Sequence, residues 1–224
     1  MTDSATAGRR YNGISAAARR DQRRGQFLDA ALTVVARDGV AAMSMRALCA
    51  ESGLHARYFR EIFDSVDEVM NAAADEVASD IARDVSEAIA QVPREAPNAV
   101  IARTRAAVRA AFDVVNADPR RIALLTSADS VPGLAARREQ LIDLLATVMA
   151  MQAAEMLDDP PAPEDALLAA RLTAMGAVSL LTASAAGRVE ASGAAIEETI
   201  VAAILGSQGI AETLRQVRSM ATDS

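Results

Sequence analysis

His55, Arg57, Tyr58 and Arg60 fall within one short stretch and carry its polar chemistry. A guanidinium can donate paired hydrogen bonds to a phosphate or to the O6 and N7 edge of guanine. Tyr58 can bond a phosphate or pack on a thymine methyl. This is chemistry for reading nucleic acid, not for breaking bonds. Other chemistries lack their parts. His55 is the only histidine and Cys49 the only cysteine. No metal-ligand set or nucleophile–base pair can be assembled around them. No catalytic residue, metal or cofactor is therefore expected. Cys49 is expected to pack in a core, as free cysteines commonly do.

Such side chains reach a groove only from a short helix held at a set angle. The surrounding pattern supplies one. Phe27, Ala30, Ala31, Val34 and Val35 recur at helical spacing, and Gly39 ends that helix. Ser44 reads as the N-cap of a short helix whose inner face is Met45, Leu48 and Cys49. Ser52 and Gly53 stop it, glycine supplying the positive φ of a tight turn. A second short helix runs from about His55 to Phe63. Phe59, Ile62 and Phe63 point inward; Ala56, Arg57 and Arg60 point out. Ser65 and Glu68 form a capping box for a long helix that runs to Val92. Two short helices joined by a turn, behind one longer helix, make a helix-turn-helix.

Charge supports that reading. The chain of 224 residues carries a net −7. Residues 1–60 nevertheless carry +5 and the remainder −12. A basic head on an acidic body is an electrostatic footprint of DNA binding. Composition points to an all-α fold: 51% of residues are hydrophobic but only 3% aromatic, and the apolar mass is largely Ala, Leu, Val, Ile and Met. No strand pattern or internal repeat is visible. The longest weakly polar run, 175–186, falls short of the roughly 20 residues of a membrane span. With no signal-peptide pattern and no possible internal disulfide, a cytoplasmic protein with no membrane partner is expected.

The run from Arg24 through Phe27, Ala30, Ala31 and Val34 to Gly39, then Ser44-Met-Arg-Ala-Leu-Cys-Ala-Glu-Ser-Gly-Leu54, then Tyr58-Phe59, Phe63 and Ser65 to Val69, resembles the N-terminal domain of TetR-family transcriptional regulators. The likeness covers about residues 22–75. It implies that Ser44 and Arg46 lie at the DNA backbone, with Met45 between them among the DNA-binding residues. It places His55, Ala56, Arg57, Tyr58 and Arg60 on the recognition helix and Ser65 at a further phosphate contact. Arg23 and Arg24 are expected at phosphates too. Two positions depart from the family pattern. Val66 stands where a lysine is usual, and Arg60 stands where a tyrosine is usual. Binding should therefore lean on Arg46, Arg57, Tyr58 and Arg60.

The implied whole is a three-helix DNA-binding head on a larger helical ligand-binding and dimerisation domain, with about nine helices in total. The expected divisions are a flexible arm at 1–18, the head at 19–70 and the body at 71–224. Arg9, Arg10, Arg19 and Arg20 of the arm either enter a minor groove or belong to a solvated tail. In the body, Met149 and Met175 either line an adaptable ligand pocket or are ordinary core. Phe112 and Val115 are candidates for the same pocket, and Thr126, Gln152 and Ser179 could orient a ligand in it. Leu168, Leu172, Gly176 and Ala183 share one face of the penultimate helix. Ile196, Ile200, Ala203 and Ile204 share a face of the last. These either form a two-fold four-helix interface or are buried within one subunit. The expected function is a ligand-responsive repressor. It would act as a homodimer on a roughly palindromic double-stranded DNA operator, with an unspecified small-molecule effector. The alternative is a helical ligand-binding or interaction module with weak or lost DNA binding.

Overall fold

A computed structural model describes residues 15–207 and 209–222. Among these residues there are ten α-helices and no strand. Helix α1 (Ala16–Asp38) begins earlier than the expected Arg19, because the Ser15 hydroxyl accepts the Ala18 N–H at 3.1 Å and caps it. The remainder of the expected arm, with Arg9 and Arg10, lies outside the described residues. Gly39, at φ 79°, turns the chain out of α1.

Helix α2 (Met45–Ser52) and helix α3 (Ala56–Ile62) follow. Between them Gly53 adopts φ 69°, the left-handed geometry that a β-carbon disfavours. Helix α4 (Val66–Ala90) starts at Ser65, whose hydroxyl accepts the Glu68 N–H at 3.1 Å. The Glu68 carboxylate reaches back to the Asp64 N–H at 2.6 Å, one residue earlier than a strict capping box. Helix α4 runs unbroken through residue 70, so head and body share one helix.

The body continues with α5 (Ala99–Ala117), α6 (Arg120–Thr126), α7 (Pro132–Met156) and α8 (Pro163–Ala185). Pro132 and Pro163 open their helices, where a missing N–H costs nothing. The helix expected to be the last, carrying Ile196 to Ile204, is α9 (Gly193–Ser207), and a further helix, α10 (Ile210–Thr222), follows it. Gly206 and Gly209 flank the break and weaken helix continuation there.

Helix α8 is longer than the weakly polar run 175–186, which overlaps its second half. It is long and apolar enough to span a bilayer by length and composition alone. Its Gly, Ser and Thr residues interrupt the apolar run without lowering the average hydropathy far. About a third of its most apolar stretch is buried in the subunit, against α7 and α9.

One hydrophobic core runs through both parts. It joins Phe27, Leu48, Phe59 and Phe63 of the head, through Val69, Met70, Val77 and Val85 of α4, to Leu124 and Leu141 of the body. At the junction, Arg120 donates to Asp29 Oδ1 and Thr33 Oγ1 of α1, each at 2.7 Å, and to Asp118 at 2.7–3.1 Å. Arg121 beside it donates to Asp80 of α4 and to the Val114 carbonyl of α5. Helix α6 thus clasps α1, α4 and α5.

The Arg120 guanidinium holds the Asp118 carboxyl below the usual carboxylate range. A carboxylate whose folded pKa lies below its unfolded value of about 3.9 stabilises the fold above that value. The contribution is lost as pH falls through the depressed folded value. The clasp is expected to hold at neutral pH and to weaken in acid, below about pH 4. Asp118→Asn should shift the acid-unfolding midpoint followed by circular dichroism. An unchanged midpoint would count against the clasp.

Candidate nucleic-acid interface and ligand cavity

The head is built around three phenylalanine rings. Phe27 meets Phe59 and Phe63 edge-on at 5.6 and 6.1 Å, and Phe59 meets Phe63 at 6.0 Å. This trio seats α3 on α1 and fixes which face of α3 is outside. Arg57, Arg60 and His55 are exposed there, and Ala56 is half-buried. Tyr58 is half-buried between two guanidiniums, Arg23 at 3.9 Å and Arg57 at 4.5 Å from its ring centre. Its hydroxyl also accepts an Arg57 Nη2 hydrogen bond at 2.7 Å. These cation–π contacts tie Arg23 of α1 and Arg57 of α3 to one ring.

Arg46 is exposed at the start of α2, and Ser44 caps that helix by accepting the Ala47 N–H at 3.1 Å. Its hydroxyl hydrogen stays available to an acceptor such as phosphate, as does that of Ser65. Arg23 and Arg24 are half-buried on α1. Arg20 and Arg23 both approach Glu61, the first through the Glu61 carbonyl at 3.3 Å and the second through its carboxylate at 3.9 Å. Met45, between Ser44 and Arg46, is turned inward. It is half-buried against the head core, because α2 turns its first inward position to α1.

Cys49 packs on the same core, and burial raises its thiol pKa above the ordinary value. A reactive thiolate would need the opposite shift. Among the described residues, no group of three or more His, Cys, Asp or Glu side chains could hold a metal ion.

In the body a cavity of about 150 Å³ opens between α4, α5, α7, α8 and α9. Phe112, Val115, Met149 and Gln152 line it. Thr126, Met175 and Ser179 do not. Thr126 is spent on its own helix, donating to the Ala123 carbonyl at 3.0 Å. Met175 and Ser179 sit on the outer side of α8, exposed. Arg103, Thr104, Thr173 and Thr182 are lining residues that sequence reasoning passed over.

The same outer side of α8 carries Leu168 and Leu172, 61% and 66% exposed, with Gly176 between them and Ser179. Ala183 is half-buried. The expected α9 face is turned the other way. Ile196 and Ile200 are buried within the subunit against Val108 and Phe112, and Ile204 lines the cavity. Helix α9 must cover α5, so its largest residues go inward. Ala203, with Ala202 and Thr199, is what it leaves outside.

No protein-family model matches the chain, and no curated protein matches it. Solved structures do. A TetR-like transcriptional regulator from Rhodococcus sp. RHA1 is 22% identical, over 88% of this chain and 100% of that one, with a TM-score of 0.61. A TetR-family transcriptional regulator from Mesorhizobium loti MAFF303099 is 16% identical, over 86% and 98%, with a TM-score of 0.64. The multidrug binding protein EbrR, solved with imidazole, is 19% identical, over 81% and 94%, with a TM-score of 0.56.

Proposed function

From the premise that this chain has the fold of TetR-family transcriptional regulators, we propose that it is a DNA-binding transcriptional repressor, homodimeric and responsive to a ligand held in its helical body. The observation that carries the DNA-binding part is the outer face of α3. Arg57 and Arg60 are exposed there, on a helix seated by three buried rings, and Arg46 is exposed at the start of α2. Two such helices related by two-fold symmetry fit half-sites one helical turn apart, about 34–36 Å. Val66 replaces a phosphate-binding lysine, so the arginines of α2 and α3 carry more of the contact. The dimer reading rests on the exposed Leu168 and Leu172 of α8, beside the small outward residues of α9. The ligand reading rests on the cavity.

Fluorescence anisotropy on labelled DNA flanking the protein's own gene tests the reading. Binding should weaken steeply with salt, as phosphate contacts require. Arg57→Ala and Arg60→Ala should each cost about tenfold or more in affinity, consistent with about 1–3 kcal/mol per specific arginine contact. Salt-insensitive binding, with both variants matching wild type, would refute it. That result would favour a helical ligand-binding or interaction module with weak or lost DNA binding.

A further inference from the structure

We propose that the body cavity takes a molecule with a carboxylate head and an apolar chain, the head on Arg103 and Gln152 and the chain running toward α6. This rests on the reading of the cavity as a ligand site.

Arg103 is 8% exposed and lines the cavity. Among the described residues no carboxylate pairs with it; Glu155, on the neighbouring stretch of α7, pairs with Arg94 instead. Its Nε and Nη2 donate to the Val92 carbonyl, just past the end of α4, at 2.9 and 2.8 Å. Its Nη1 makes only long contacts with neutral groups, Gln152 Oε1 at 3.3 Å and Met156 Sδ at 3.6 Å. Buried charges are normally paired. Here one edge of the guanidinium is anchored on backbone. The other meets Gln152 and Met156, which also line the cavity.

The remaining wall offers no second charge. The hydroxyls of Thr104, Thr173 and Thr182 donate to carbonyls of their own helices, those of Val100, Ala169 and Val178. Polar recognition is therefore concentrated at one end. The lining runs from Val100 to Val115 on α5 and from Leu141 to Met156 on α7. At 1.5 Å per residue each run spans about 22 Å. Arg103, Gln152 and Met156 share the end near Val92. Val115, Leu125 and Leu141 share the end near α6. A narrow cavity with a cation at one end and hydrocarbon along its length fits a slender amphipathic anion. A cationic ligand would meet the buried guanidinium, and a neutral one would leave it unmatched.

Calorimetric titration of the full chain with octanoate, octanol and octylammonium tests this. Octanoate should bind at least about tenfold more tightly than octanol, reflecting a charge-assisted hydrogen bond. Octylammonium should not bind measurably. Arg103→Gln should abolish the preference for octanoate, and Arg103→Lys should keep part of it. The wild-type ranking decides the matter even where a variant at Arg103 fails to fold. Octanol binding as tightly as octanoate overturns the headgroup assignment and leaves the ligand site standing. No binding by any of the three overturns both.

Discussion

Leu172→Glu is expected to yield a folded monomer that no longer holds its operator. Leu172 is 66% exposed in the subunit, so a charge there costs the monomer little. In the proposed dimer the same position lies in an apolar face shared by two copies of α8, where an unpaired carboxylate is strongly unfavourable. Losing the partner removes the linked second head. Linkage of two heads commonly raises apparent affinity by about 10²–10⁴-fold. A loss of that order is expected in anisotropy, together with a halved mass by analytical ultracentrifugation. A dimer of unchanged affinity would move the interface off α8.

Phe27→Ala is expected to destabilise the head by about 3–5 kcal/mol, the usual cost of truncating a buried aromatic. Phe27 is fully buried and makes both edge-on contacts of the ring trio. Without it α3 loses its seat, and the exposed arginines lose their common direction. The core is continuous into α4, so the body should feel the change as well. Urea unfolding followed by circular dichroism measures the loss. A change under about 1 kcal/mol would mean that the rings do not hold α3 in place.

The head was legible because its determinants are local. Gly39, Ser44, Gly53 and Ser65 punctuate short helices at positions where caps and turns have specific chemistry. The ring trio follows from the spacing of its residues along α1 and α3. The body was less legible, for two reasons. Helices α8 and α9 are apolar on more than one side, so periodicity does not say which side faces a neighbour. Ile196 and Ile200 went inward for that reason, while Leu168 and Leu172 stayed out. Polar residues also have local options. Thr126 satisfies itself on its own helix, whereas Arg103 reaches across to Val92 and Gln152. Arg103 did leave a trace. It falls in the inward stripe of Val100, Thr104, Ala107 and Ala111, whereas Arg105 and Arg109 fall outside it. A cation inside an apolar stripe is the pattern to look for.

Helix α4 joins the Ser65 cap, at the end proposed to meet DNA, to Ile81, Val85 and Ile89 in the cavity wall, without a break. Its 25 residues make a rod about 37 Å long. Such a rod is a lever. Pivoting by about 3° at Asp80, where α6 holds it, would carry the Ser65 end roughly 1 Å, from the helical rise over that stretch. The Arg121–Asp80 ion pair sits where that fulcrum would lie. In a symmetric pair both levers swing, so the gap between the two recognition helices would change by up to twice as much. The stiffness of one helix would thus turn the filling of a small cavity into a mismatch with the pitch of DNA.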